Sequence, residues 1–510
     1  MIENWLLGVS LVFEWYNLLL LILGVLIGLS FASLPGLNNT AALVLTIPFV
    51  YHMDPIPALI FMAAIYGGGI HGGCILSILF RIPGEPQSAC TTFDGYPMAK
   101  QGKSGEALGI AFLYSSLGGL IGVLFCIVFA PLLAKVALAF GPAEYFAFVF
   151  FGLSVASCIG SGSVLKGLIS AVFGIFLATV GVSGTSGVLR YDFDLRILKM
   201  GFEFVPIIMG VFAFSELLKM VLEGQALAKL SKESLGWTVK IPGWKFFKQT
   251  YRTFIRSSIL GTIIGFLPGA GATAASFVSY GWETRSSRDP SKYGKGEPKG
   301  LVATETANNA SYGGAMVPIL TLGIPGSAST AVMLGVLLLK GIQPSPIVFQ
   351  QMPDLIYSIF VAMFLINVVM FFESIFFGRF YLNILKLPPS LTAFVIISLC
   401  CVGTFAIRSS IEDLWIMGIF GFVGYFMDKY DYSPAALVLG VILGSMAENS
   451  FVQTVESANS PNPLVFFSSP IAAFLMCLGI LFLCMPLIQR FLVARARNKE
   501  KYAQGMHESP

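Results

Sequence analysis

The sequence predicts an all-α polytopic membrane protein built from two inverted-topology repeats, each carrying broken or re-entrant helical hairpins. Three observations predict it. Of the 510 residues 56% are hydrophobic and 11% charged, against about 25% charged in a soluble domain, so too little polar surface remains to cover a water-soluble body. Apolar runs near twenty residues recur along the chain, the length a helix needs to cross a hydrocarbon core of about 30 Å. Finally, residues 28–42 (GLSFASLPGLNNTAA) and 261–275 (GTIIGFLPGAGATAA) agree without gaps at Gly28/Gly261, Leu34/Leu267, Pro35/Pro268, Gly36/Gly269, Thr40/Thr273, Ala41/Ala274 and Ala42/Ala275. A second pair follows in the same order: Tyr66-Gly67-Gly68 then Ile82-Pro83-Gly84, and Tyr312-Gly313-Gly314 then Ile324-Pro325-Gly326.

The first repeat is read as residues 1–222. No Lys or Arg precedes Arg81, so the basic opening of a signal peptide is missing and 11–31 reads as a first span running into Leu34-Pro35-Gly36. Residues 41–50 are too short to cross alone and end at Pro48 and a turn over 52–57. Residues 58–80 carry glycines at 67–69 and 72–73, expected to loosen the helix because each costs roughly 1 kcal/mol relative to Ala. Residues 82–106 are polar, and Asp94 opens a D-G-Y-P turn. Spans are expected near 107–132, 142–159, 165–182 and 202–221. A basic linker, 223–256, leads to the second repeat, 257–489. That repeat has a charged loop at 283–299, the unit 303–340, and spans near 355–377, 391–407, 414–427, 433–443 and 465–488. The tail, 490–510, is basic. Roughly ten to twelve spans result.

Orientation follows from the excess of Lys and Arg in cytoplasmic loops. The 223–256 linker and the tail are therefore expected to be cytoplasmic, and the N-terminus, without Lys or Arg up to residue 80, to lie outside. The first copy of the motif is entered from the charge-poor side and leaves toward Lys100 and Lys103. The second is entered from the basic linker and leaves toward 341–354, which has no Lys or Arg. The copies run in opposite directions, as in secondary transporters with alternating access.

A Pro-Gly break at membrane depth frees backbone groups that only protein or a wet cavity can satisfy. Half-helix N-termini attract anions, and carbonyl ends can hold a small cation. The breaks are Pro35-Gly36, Pro83-Gly84, Pro268-Gly269 and Pro325-Gly326. Short polar residues flank them: Asn38, Asn39 and Thr40; Thr273 and Ser276; Gln87, Ser88, Thr91 and Thr92; Ser327, Ser329 and Thr330. One such break could be a helix kink packed by small residues; four in two matched pairs favour a substrate and ion site. Asn308 and Asn309 either join that site or lie at a loop–membrane boundary. Glu305 is interfacial or buried. Arg81 and His71 could meet an anion, although Arg81 also reads as an interfacial anchor.

Other classes fit less well. The net charge is only +4 and no basic face interleaved with aromatics exists, so no nucleic acid is expected. The eight cysteines lie mostly in apolar segments and read as small filler, and with three histidines no metal site is expected. Residues 97–104 (PMAKQGKS) approach a phosphate-binding loop but lack its leading Gly and follow no strand, so an ATP-driven pump is unsupported. The alternatives are a passive anion channel, which would not need matched broken segments, and an intramembrane enzyme, for which no H-E-x-x-H or aspartate pair is present. The enzyme reading is not favoured.

The G-x5-L-P-G near the N-terminus, residues 82–102 (IPGEPQSACTTFDGYPMAKQG) and above all 303–331 (ATETANNASYGGAMVPILTLGIPGSASTA) resemble the large membrane subunit of the tripartite tricarboxylate transporters, over nearly the whole chain. The resemblance implies a bacterial inner-membrane permease importing a tricarboxylate or related organic acid. It implies two partners, a small membrane subunit of about four helices and a periplasmic solute-binding protein, and a Na⁺ or H⁺ gradient in place of a cofactor. An elevator-like movement of the hairpins is an expectation by analogy, and a homo-oligomer is left open. Two features depart from the family. An Arg-rich stretch is expected after Glu448-Asn449 and an Arg-Pro-Ile before the last span; here the residues are E-N-S-F-V-Q-T-V-E-S and Ser469-Pro470-Ile471.

Overall fold

A computed structural model describes residues 2–34, 37–159, 163–222, 239–267, 271–378, 380–381, 388–459 and 462–484. The first repeat runs through α1 (Ile2–Val12), α2 (Trp15–Ala32), α3 (Asn39–Tyr51), α4 (Pro55–Phe80), a 3-10 turn (Pro86–Ala89), α5 (Thr91–Lys100) and α6 (Ser104–Ala137). Then come α7 (Pro142–Ile159), α8 (Val164–Ala178), a hairpin of β1 (Gly181–Val182) and β2 (Leu189–Arg190), α9 (Arg196–Lys199), α10 (Phe204–Ile208), a π-helical stretch (Met209–Phe214) and α11 (Ser215–Leu222). The second repeat contains α12 (Trp244–Phe266), α13 (Gly271–Ser286), α14 (Pro298–Leu322), α15 (Ala328–Leu339), α16 (Val348–Gln351) and α17 (Pro353–Phe376), followed by α18 (Pro389–Arg408), α19 (Ile411–Lys429), α20 (Pro434–Ala458) and α21 (Pro470–Cys484). Proline opens α4, α14, α17 and α20, where its missing N–H would have had no intrahelical partner.

Seven described helices are long and apolar enough to span a bilayer, and six apolar helices are shorter. The expected all-α polytopic class is what the chain adopts. The expected ten to twelve spans resolve into these two sets because several apolar segments are half-helices. Pro35, Gly36, Pro268 and Gly269 lie outside the described residues, as do 223–238 and the tail 490–510. α12 begins at Trp244, inside the expected linker, and takes Lys245, Lys248, Arg252 and Arg256 into its first turns.

The duplication is visible in how helices touch. α2 packs on α4, and α12 on α14. At both contacts a glycine lets backbone meet backbone. A Cβ on Gly28 would lie 2.3 Å from the Ile65 carbonyl, and one on Gly261 would lie 2.3 Å from that of Ala307. Gly72 likewise faces the Leu29 carbonyl, and Gly314 that of Thr262; Gly84 faces the Ala32 carbonyl, and Gly326 that of Gly265. Every first-repeat pair becomes its second-repeat counterpart by adding 233 on α2 and 242 from α4 to the break. The Ile-Pro-Gly motifs obey that offset. The two Tyr-Gly-Gly motifs do not, being 246 apart. Their pairing in the sequence is one helical turn out of the structural register, since four residues are about one turn. The same close packing explains why α4 is a continuous 26-residue helix and not the loosened segment its glycines suggest: Gly68 and Gly72 form the edge that α2 covers.

The halves also exchange elements. α6 follows α4 but packs on α14, with Gly118 and Gly122 against the Thr306 and Ala310 carbonyls; α17 follows α14 but packs on α4 and α2. Between them, Ser116 donates to the Asn367 carbonyl at 2.6 Å.

Asp94 does not open a turn. It sits in the first turn of α5, buried, where its carboxylate accepts the backbone N–H groups of Gly296 and Glu297 at 2.9 Å each and the Tyr280 hydroxyl at 2.9 Å. These donors, on α13 and at the entry to α14, draw the D-G-Y-P segment inward as helix.

Two outcomes follow from this packing. Gly28→Val and Gly261→Val should each lower thermal stability in detergent by about 1–3 kcal/mol, the usual cost of overpacking; wild-type melting of both would remove the carbonyl contacts as a determinant of the fold. Asp94→Ala should release the α13–α14 connection, with Arg288, Lys292 and Lys295 on its exposed face, to cleavage by trypsin. Cleavage kinetics equal to wild type would show that Asp94 does not hold that loop.

Candidate functional site

Both described breaks are built alike. α4 ends on Arg81 in the left-handed region (φ 57°) and α14 on Gly323 (φ 67°). Ile-Pro-Gly follows each. The chain then turns into a new helical start whose first residue is bonded to a hydroxyl three residues on. Glu85 N–H donates to Ser88 Oγ at 3.1 Å, and Ser327 N–H to Thr330 Oγ1 at 2.8 Å. Thr330 N–H returns to Ser327 Oγ at 3.3 Å, capping α15. On the other side α3 is capped by Asn38, whose Oδ1 accepts the Ala41 N–H at 2.8 Å.

These ends converge on a cavity of about 420 Å³. Its lining repeats in register: residues 38–40 are matched by 271–273 at the offset of 233, and 85–87 by 327–329 at 242. Every one of the twelve has its counterpart in the other half. The remaining wall is Tyr66 and Ile70 from α4, Ala156 from α7, Phe212 from the π-helical stretch, and Ala435 and Leu439 from α20. The repeats meet directly where the Thr40 and Ser329 hydroxyls lie 2.9 Å apart. Tyr66 of the first repeat and Ser327 of the second line the same cavity.

The frame is symmetric and its chemistry is not. The first repeat brings two carboxamides, a carboxylate and Gln87; the second brings Gly271, Ala272 and hydroxyls. Among the described residues no Lys, Arg or His lines the cavity. Positive potential there comes from the N-termini of α3, α13 and α15, whose leading N–H groups lack intrahelical partners. Such a cavity can hold an anion against N–H and hydroxyl donors, and a small cation against carboxylate and carboxamide oxygens.

Of the residues singled out in the sequence, Asn38, Asn39, Thr40, Gln87, Thr273, Ser327 and Ser329 line this cavity. Ser88, Thr91, Asn308, Asn309 and Thr330 do not. Ser88 and Thr330 are the hydroxyl halves of the two turns. Thr91 donates to Glu305, which is fully buried and also takes Ser115 Oγ at 2.8 Å. Asn308 and Asn309 are buried on α14, donating to the Ile70 and Glu305 carbonyls. His71 bonds Ser374 at 2.6 Å, away from the cavity, and Arg81 is exposed over the Tyr96 ring. Sequence reasoning missed Glu85, Tyr66 and Phe212. The signal for Glu85 was present: it stands one residue after Ile-Pro-Gly, where the other half has Ser327.

A family model described as the tripartite tricarboxylate transporter TctA family matches residues 18–439. An Agrobacterium vitis protein named "Uncharacterized 52.8 kDa protein in TAR-I ttuC' 3'region" is 34% identical over 481 residues, covering 94% of this chain and 95% of that one. A second, "Uncharacterized protein in TAR-II ttuC' 3'region" from the same organism, is 30% identical over 228 residues, 45% of this chain and 94% of its own length. No solved structure matches the chain.

The hydroxyl contact between the halves is open to measurement. Thr40→Val and Ser329→Ala, made singly and together, should show a coupling of about 1 kcal/mol in a double-mutant cycle, as expected for one hydrogen bond. Strict additivity would mean that the two hydroxyls do not join the repeats.

Proposed function

The chain belongs to the tripartite tricarboxylate transporter TctA family, and on that footing we propose that it is the permease of a three-component, binding-protein-dependent secondary transporter importing a carboxylate by cation symport. The observation that carries the reading is a cavity in which twelve lining residues, 38–40 and 85–87 with 271–273 and 327–329, correspond in register between the two repeats. A site shared by two equivalent halves can be opened from either side by moving one half against the other, the arrangement alternating access requires. The charge distribution of the sequence supports opposite orientation of the halves, and the exchange of α6 and α17 between them fits a two-fold relation.

The substrate carboxylate is held by the α3, α13 and α15 N-termini and by Thr40, Thr273, Ser327 and Ser329. Asn308 acts from behind, fixing α14 against α4 through the Ile70 carbonyl, while Asn309 bonds within α14 to the Glu305 carbonyl. The partners are a small four-helix membrane subunit and a periplasmic solute-binding protein that delivers the solute and does much of the choosing. The protein resides in the bacterial inner membrane, N-terminus periplasmic and C-terminus cytoplasmic, and the coupling ion is Na⁺ or H⁺.

In proteoliposomes containing both membrane subunits, uptake should require the binding protein and collapse when the cation gradient is dissipated. Uptake that persists without a gradient but follows added ATP would overturn the reading. Ser327→Ala and Thr273→Val should each weaken apparent solute affinity by roughly tenfold, the loss of one hydrogen bond to a charged group. Unchanged affinity in both would move the carboxylate out of this cavity.

A further inference from the structure

Glu85 is the one charged side chain among the described residues that line the cavity, and it is 5% exposed. Its Oε1 accepts the Asn39 backbone N–H, and Gln87 Nε2 lies 3.4 Å from Oε2. No described cationic side chain pairs with it. The elements packed on its turn are α4, α5, α13 and α14. Tyr66 on α4 lines the same cavity; Cys74 on α4 and Glu305 on α14 are buried and do not line it, and Arg81 turns outward over Tyr96. On α5, Asp94 is engaged with the α14 entry.

A buried carboxylate without a cationic partner is neutralised by whatever positive species can reach it. A carboxylate solute in the same cavity sharpens the demand, because two like charges then share one low-dielectric space. The α3 N-terminus is partly committed already, since the Asn39 N–H is bonded to Glu85. Beside it, Asn39 Oδ1 is buried and has no hydrogen-bond partner. It rests against Gly69, where a Cβ would come within 2.2 Å of it. Two oxygens on one side of the cavity are therefore short of positive charge. The equivalent positions in the other half are Ser327 and Ala272, so this chemistry occurs on one side only.

We propose that Glu85 and Asn39 form the cation half of the transport cavity, where one monovalent cation, a proton or Na⁺, binds and travels with the carboxylate held at the hydroxyls of Thr40, Thr273, Ser327 and Ser329. The inference rests on the symporter reading given above. With a proton, an O–H bond forms on Glu85 Oε2 from water on the loading side and breaks to water on the other. With Na⁺, Oε2 and Asn39 Oδ1 are the oxygens offered.

The test uses the complete three-component system in proteoliposomes, with a pH gradient in sodium-free buffer as one arm and a Na⁺ gradient at equal pH as the other. Wild type should accumulate solute in one arm, which identifies the ion; accumulation in neither arm would sink the symporter reading itself. Glu85→Gln should lose at least tenfold in that arm. Its solute exchange without a gradient should no longer respond to external pH (for a proton) or to external Na⁺ (for sodium). Glu85→Asp should restore part of the response. Gradient-driven accumulation by Glu85→Gln at the wild-type level would overturn the assignment, and so would loss of all exchange in a monodisperse Glu85→Gln protein.

Discussion

Backbone polar groups in an apolar surrounding must find partners inside the protein, and the architecture of this chain depends on how that is done at two Ile-Pro-Gly breaks. Each break follows a left-handed residue, lays a glycine on the carbonyl of the neighbouring helix, and restarts with an N–H bonded to a hydroxyl three residues on. At the second break the restart is α15, whose N-terminus opens on the cavity through Ser327, Ala328 and Ser329. The rule that makes a break expensive in lipid therefore also makes it useful: the donors left over face a cavity instead of hydrocarbon. A straight span could not provide them.

Much of this was legible in the sequence. Composition and apolar runs carry the class, and the repeated Leu-Pro-Gly and Ile-Pro-Gly carry the duplication, because glycine and proline have no substitutes where the chain must turn or approach another backbone. Seven of the residues picked out beside the breaks line the cavity. What could not be read was register. Aligning Tyr66 with Tyr312 looks natural, yet a shift of one turn keeps glycines on the same edge of a helix, so sequence identity cannot tell the two alignments apart; only the carbonyl each glycine touches does. Asn308 and Asn309 were drawn in by their polarity, although a carboxamide on a glycine-lined helix contact satisfies a carbonyl as readily as it binds a solute. Asp94 shows the converse, a residue with turn chemistry pulled into a helix by donors some two hundred positions away.

Duplication supplied a symmetric frame and divergence filled it unevenly. At the two positions after Pro-Gly, one half carries an acid and the other a hydroxyl. At the entry to the second helix of each hairpin, one half carries asparagines and the other Gly271 and Ala272. A homogeneous lining would bind one kind of charge twice. This one sets an oxygen-rich side against a donor-rich side, while the backbone on both sides keeps the same course.

The exchange of α6 and α17 between the halves bears on how the protein is made. α6 emerges from the ribosome about 190 residues before α14, against which Gly118 and Gly122 are fitted; at roughly 5–20 residues per second that is an interval of about 10–40 s. Throughout it the glycine edge of α6 has no partner of its own and lies open to lipid or to whatever the insertion machinery offers. Assembly of the first half is thus completed only after the second has been synthesised, and the two cannot mature as independent units joined afterwards.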